Sequence, residues 1–218
     1  MTTFKVERIV EVDTENVMKL LRRTFFIDEP LNKAIGLCEP DGCPELEDYC
    51  LKTLPGLSHK ALDEDGNIVG VLINGVTPVA EDHELKILLE NCKNPKFKKV
   101  LQILVLRDKE ARIWEKYPQE KDMLEVKIAA TAPEARNRGV MTILTHEAEK
   151  TAKENGIKLI RMDTSSAYSS STAERLGFTC LYSKPYAEIL LDGNPVILPD
   201  PPHVNDKVVL KYLSNNVN

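Results

Sequence analysis

No stretch of this 218-residue chain approaches the roughly 18 apolar residues of a membrane span. Met1 to Asp13 is polar and alternating, without the apolar core of a secretory leader. Basic excess is also missing: 29 Lys and Arg against 34 Asp and Glu leave a formal net charge of −5, which argues against a general nucleic-acid binder. The five cysteines (Cys38, Cys43, Cys50, Cys92, Cys180) form no CxxC and cannot all pair within one chain. Cys38, Cys43 and Cys50 cluster, but neither grouped histidines nor a second cysteine pair accompanies them, so reduced thiols are expected rather than a zinc site. His146 opens a segment that lacks the second histidine of HExxH, and no G-x-S-x-G elbow of a serine hydrolase is present. Internal repeats and low-complexity segments are absent as well. What remains is the composition of a soluble globular protein, 42% hydrophobic and 29% charged, with a cytoplasmic setting and no metal expected.

Periodicity then gives an order of elements. Phe4 to Val12 alternates like a strand, and Asn16 to Phe26 carries Val17, Leu20, Leu21 and Phe25 on one helical face, ending at Pro30. Residues 28 to 57 read as irregular, interrupted by Pro30, Pro40, Pro44 and Pro55 around short helical pieces such as Glu45 to Leu54. Segments of that length often form a lid or binding loop. A hairpin is expected at His59 to Val76, turning at Asp65-Gly66. Helices follow at Glu81 to Asn91 and Lys96 to Trp114, with Trp114 read as core. The rest is a strand at Met123 to Ala130, a helix at Val140 to Asn155 stopped by Gly156, a strand at Ile157 to Asp163, a short helix at Ser170 to Leu176, and strands at Phe178 to Leu190 and Lys207 to Leu213. No linker divides the chain, so the expectation is one α/β domain over 1–218, with a mixed, mostly antiparallel central sheet flanked by helices.

The stretch Arg136-Asn137-Arg138-Gly139-Val140-Met141 leaves a strand and opens a helix. Free backbone N–H groups there, with about half a positive charge from the helix dipole, suit an anion, most often a phosphate. From these six residues alone, an exposed basic turn is the equal alternative.

The stretch resembles the pyrophosphate loop, Arg/Gln-x-x-Gly-x-Gly/Ala, of the GNAT superfamily of N-acetyltransferases. Ala173-Glu174-Arg175-Leu176-Gly177-Phe178 resembles that superfamily's second signature. Three further segments are similar to insect arylalkylamine N-acetyltransferases: Phe25-Phe26-Ile27-Asp28-Glu29-Pro30-Leu31-Asn32, Ser165-Ser166-Ala167-Tyr168-Ser169 and Pro202-His203-Val204. The resemblance spans residues 4 to 213. It departs from the pattern at Met141, where Gly or Ala is usual, and at Ala173, where many members carry a tyrosine acid.

The resemblance implies acetyl-CoA as co-substrate, held by Arg136 to Met141, by the backbone of Ile128, Ala129 and Ala130, and by Ser170 and Ser171. It implies Glu29 as general base, Ser165 and Ser169 as catalytic serines, and Asp28, Tyr168 and His203 at the acceptor. The chemistry supports a base independently. An alkylamine with a pKa near 10 is neutral in only about one molecule per thousand at pH 7, so reaching the nucleophilic form costs about 4 kcal/mol. The expected acceptor is a small primary amine, an arylalkylamine of the dopamine, tyramine or serotonin type. A polyamine acceptor and a catalytically silent acyl-CoA-binding module are the alternatives. The sequence leaves the oligomeric state unread.

Overall fold

The computed structural model describes residues 4–54, 56–80 and 83–213; Met1, Pro55 and Glu81, named above, lie outside them. In chain order come strand β1 (Lys5–Arg8), helices α1 (Thr14–Arg22), α2 (Phe25–Asp28), α3 (Pro30–Ala34) and α4 (Pro44–Thr53), and strands β2 (His59–Leu62) and β3 (Ile68–Pro78). Helices α5 (His83–Asn91), α6 (Pro95–Ala111) and α7 (Ile113–Lys116) lead to strand β4 (Asp122–Thr131), helix α8 (Val140–Glu154), strand β5 (Leu159–Thr164) and helix α9 (Ala167–Arg175). Strands β6 (Thr179–Pro185), β7 (Leu190–Leu191), β8 (Asn194–Pro195) and β9 (Asn205–Tyr212) close the chain. Seven strands form one sheet in the order β1-β2-β3-β4-β5-β9-β6. Its β4–β5 pair is parallel and the other neighbours are antiparallel, the mixed sheet expected. β7 and β8 form a separate ribbon around Asp192-Gly193, both at positive φ.

Several boundaries differ from the periodic reading, each for a local reason. β1 ends early because Asp13 accepts the Val10 N–H at 2.9 Å and pulls 11–13 into a 3-10 turn. The helix read as 16–26 breaks at Thr24, whose hydroxyl donates back to the Leu20 carbonyl at 2.6 Å while its own backbone leaves helical geometry. Pro30 does not stop a helix; it starts α3 at a position where its missing N–H costs nothing. The helix read as 96–114 is interrupted by Arg112 in the left-handed region, φ 47°, and Trp114 belongs to α7, half-buried against a small core cluster. β6 stops at Pro185, before a 3-10 turn at Tyr186–Glu188.

α8 packs on β2 and β3 through the i, i+4 row Val140, Leu144, Ala148 and Ala152, all buried. Gly70 on β3 makes that seat possible. A Cβ there would fall 2.4 Å from the Val140 side chain, so a larger residue would push the first turn of α8 off the sheet.

Candidate active site

β4 and β5 pair only from Leu124–Ile160 to Val126–Met162. Beyond that, β4 continues to Thr131 against β3 while β5 continues to Thr164 against β9. Between Ile73 and Asn74 the β3–β4 register shifts by one residue, leaving Lys127 as the extra residue of a bulge. The two strands therefore splay apart. A cleft of about 1630 Å³ occupies the opening, taking in Ala129–Thr131, the first turn of α8, and residues of α4, α5 and α6.

The turn into α8 has Asn137 at φ 60° and Gly139 at φ 81°, and no side chain caps the helix. Its leading N–H groups have no intrahelical acceptor. Space is not what requires glycine at 139, since a Cβ there meets nothing within 4 Å; the left-handed φ is. Arg136, Asn137, Gly139, Val140 and Met141 line the cleft, and Met141 also packs against the main core. Arg138 turns away instead, its guanidinium 5.0 Å from the centre of the Phe4 ring.

The other expected cofactor contacts divide. Ala129 and Ala130 line the cleft, whereas the Ile128 side chain is core, 1% exposed. Ser170 accepts from Lys207 at 2.9 Å and Ser171 from Arg175 at 2.8 Å. Neither serine lines the cleft; α9 presents Ser169, Thr172 and Arg175 there. The sequence reading held the second signature containing Arg175 but gave that residue no role. Ala173 is fully buried, so that position faces the core.

Glu29 joins α2 to α3 and lines the cleft. Its carboxylate caps α3 by accepting the Asn32 N–H at 2.8 Å. Burial drives its pKa above the ordinary carboxylate value, outweighing the Ser165 hydroxyl, the Asn32 and Leu31 N–H groups and the Arg107 guanidinium, all of which pull it down. Ser165, between β5 and α9, lines the same cleft as Glu29. Ser166 caps α9 by accepting the N–H groups of Tyr168 and Ser169 at 3.0 and 3.3 Å. Ser169 donates to the Ser166 carbonyl at 2.9 Å while still lining the cleft.

Asp28, expected at the acceptor, pairs with Arg136 at 2.5 Å, tying the turn before Glu29 to the loop before α8. His203 accepts the Ala167 N–H through Nδ1 at 3.2 Å, and its ring meets Tyr168 edge-on with centroids 5.4 Å apart. Burial and nearby Lys33 lower the His203 pKa, consistent with an Nδ1 lone pair. Tyr168 is 69% exposed.

Sequence reading missed a buried charge network in the cleft wall. Arg107 of α6 pairs with Asp163 at 3.0 Å and Asp206 at 2.9 Å. Arg161 holds the same Asp163 through both oxygens, at 2.9 and 3.0 Å, and Asp108 at 2.7 Å. Burial alone would raise Asp163, but the two guanidiniums carry it below the ordinary value. For Asp206 burial wins and the pKa rises. Within the segment 28–57, Leu46, Tyr49, Lys52 and Thr53 line the cleft, as do Pro201, Pro202 and His203; α5 and α6 add Leu88 and Phe97.

Residues 16–178 match the model of the acetyltransferase (GNAT) family. The structure is similar to that of arylalkylamine N-acetyltransferase 2 from Aedes aegypti, at 29% identity and a TM-score of 0.90, covering 97% of this chain and all of the other. It also shares the fold of the Drosophila melanogaster polyamine N-acetyltransferase, described as forming N-acetylagmatine. That match is at 22% identity and a TM-score of 0.87, over 97% of this chain and 100% of that one.

Proposed function

The chain belongs to the acetyltransferase (GNAT) family, and from that membership we propose that it acetylates an arylalkylamine by direct attack in a ternary complex, with Glu29 as general base. As an enzyme it is an acetyl-CoA-dependent amine N-acetyltransferase; the proposal concerns the acceptor and the residue roles. One observation carries it: Glu29 is a carboxylate of raised proton affinity on the wall of the cleft that receives the uncapped first turn of α8.

The α8 turn suits a pyrophosphate. Its leading N–H groups and dipole favour an anion, and Asn137 and Gly139 at positive φ curl the main chain around it. Arg136 lines the same turn, and Arg175 adds a second guanidinium from α9. The edge of β4 that faces away from β3, from Ile128 to Ala132, supplies main-chain groups to the pantetheine arm.

Glu29 takes the ammonium proton directly or through a water. Burial helps it do so: a raised proton affinity narrows the gap to the amine. Ser165 orients the carboxylate, and Ser169 turns its hydroxyl from the Ser166 carbonyl to the departing sulfur. Tyr168 and His203 contact the amine. Among the described residues no cysteine lines the cleft to compete as a nucleophile, and burial pushes Cys50 up to about 12 and Cys38 to about 11.

An aromatic acceptor is favoured over a polyamine by the cleft itself. Phe25, Tyr49, Leu88 and Phe97 supply apolar wall. The carboxylates beside them are already paired, Asp108 with Arg161 at 2.7 Å and Glu125 with Lys127 at 3.3 Å. A second ammonium would have to displace one of those partners or reach out to Glu84, exposed on α5. We place the enzyme in the cytoplasm, in keeping with five free cysteines. Among the described residues no helix is long and apolar enough to cross a membrane.

The test is release of free CoA from acetyl-CoA across a panel of dopamine, tyramine, serotonin, agmatine, putrescine and spermidine. Higher kcat/KM for the aromatic amines is expected. Preference for the polyamines would overturn the acceptor, and acetyl-CoA binding without turnover of any amine would mean a silent binding module.

A further inference from the structure

We propose that Tyr186 is a positioning residue of this reaction: its hydroxyl holds the Ser165 main chain where the serine side chain meets Glu29. The proposal rests on the roles of Glu29 and Ser165 given above. Tyr186 starts the 3-10 turn after β6 and is 1% exposed. Its hydroxyl donates to the Ser165 carbonyl at 2.9 Å, and its backbone N–H donates to the Val204 carbonyl at 2.9 Å. Ser165 lies between the end of β5 and the start of α9, outside both regular elements, so the position of its main chain depends on such side contacts.

Tyr186 thus gathers two separate segments of the site. One carries Ser165, and the other carries His203, which itself accepts the Ala167 N–H. A buried phenol needs a partner, and this one finds the main chain of a cleft residue although Asp206 and Arg107 are near enough to affect it. Tyr186 does not line the cleft, so it acts through Ser165 and touches neither substrate.

The groups facing Glu29 are the Asn32 and Leu31 N–H groups from α3, the Ser165 hydroxyl from the β5–α9 turn and Arg107 from α6, with the Tyr186 ring farther off. Of these, only the Ser165 hydroxyl moves with the Tyr186 hydrogen bond. Because that hydroxyl stabilises the ionised carboxylate, loosening it raises the proton affinity of Glu29.

Tyr186→Phe removes the hydroxyl alone. The expected result is a kcat lowered by about tenfold, an unchanged dissociation constant for acetyl-CoA, and an acid limb of the kcat–pH profile moved to higher pH. Ser165→Ala should give the same changes, and the double variant should be no slower than Ser165→Ala alone. Effects that multiply in the double variant overturn the proposal, as does an unmoved kcat and pH limb in Tyr186→Phe. Should the Phe protein fail to fold, 3-fluorotyrosine at position 186 is a stronger donor of nearly the same shape. A limb moved to lower pH then supports the proposal and an unmoved limb overturns it. Undiminished turnover in Glu29→Gln would instead mark failure of the underlying base assignment. Loss of turnover there, with multiplying effects at 165 and 186, means that the Tyr186 proposal alone is wrong.

Discussion

The Glu29 carboxylate accepts the Asn32 backbone N–H at 2.8 Å, so the proposed base is also the N-cap of α3. The two duties separate by substitution. Glu29→Gln keeps an oxygen able to cap but cannot take a proton, so turnover at neutral pH should fall about 100-fold or more with acetyl-CoA affinity and melting temperature nearly unchanged. Glu29→Ala should lose the same activity and also about 1 kcal/mol of stability. Steady-state kinetics with denaturant unfolding of both variants checks this; equal activity in Glu29→Gln and the parent would remove Glu29 as base.

Gly139 tests the anion turn. With φ at 81° and open space around the missing Cβ, Gly139→Ala should strain the backbone by about 1–2 kcal/mol without a clash. Gly139→Asn should be milder, because asparagine tolerates that conformation. Acetyl-CoA affinity should therefore fall in the order Gly, Asn, Ala, as read by titration calorimetry. An Ala variant that binds as tightly as the parent would show that the turn's shape does not set affinity.

His59 makes stability depend on acid. It is 1% exposed, lies 3.0 Å from the Thr151 hydroxyl and 3.4 Å from the Asn74 amide, and burial with nearby Arg8 lowers its pKa to about 4. The folded protein thus resists protonation that the unfolded chain accepts near pH 6.5. Stability should be fully present above pH 6.5 and decline as pH falls toward 4, by on the order of 3 kcal/mol. Urea midpoints of the parent and of His59→Gln, compared from pH 7 to 4, isolate this contribution from that of the carboxylates. Parallel pH curves would refute it.

Arg161 should be among the most sensitive positions for folding. Its guanidinium serves Asp163 and Asp108 in the interior, so Arg161→Met takes a buried counter-charge from Asp108 and leaves Asp163 to Arg107, and should cost about 3–5 kcal/mol. Differential scanning calorimetry reads the loss. A variant as stable as the parent would mean that the carboxylates simply take up protons.

What was legible in the sequence is what is local. Gly66 and Gly156, at φ 83° and 71°, sit in the turn and the helix stop that their neighbours announced, and the buried i, i+4 row fixed the start of α8. The break at Thr24 was not legible because a side-chain hydroxyl competing for the Leu20 carbonyl leaves no periodic trace. Arg107 and Asp108 are charged residues in a helical run, which does not mark them as buried. Their partners Asp206 and Arg161 stand 99 and 53 positions away, and only the β5–β9 pairing and the packing of α6 on the sheet bring them together. Proline spacing marked 28–57 as unusual, and that segment does line the cleft, but nothing in α5 or α6 advertised their share of its wall.

The splay of β4 from β5 also has a mechanical side. The strands β1 to β4 and the strands β5, β9 and β6 form two plates joined, within the sheet, by a seam of just the Leu124–Val126 and Ile160–Met162 pairs. A seam that short resists twisting far less than a full ladder does. Changes in the angle between the plates are therefore concentrated there, and anything wedged across the splay acts as a second fastening.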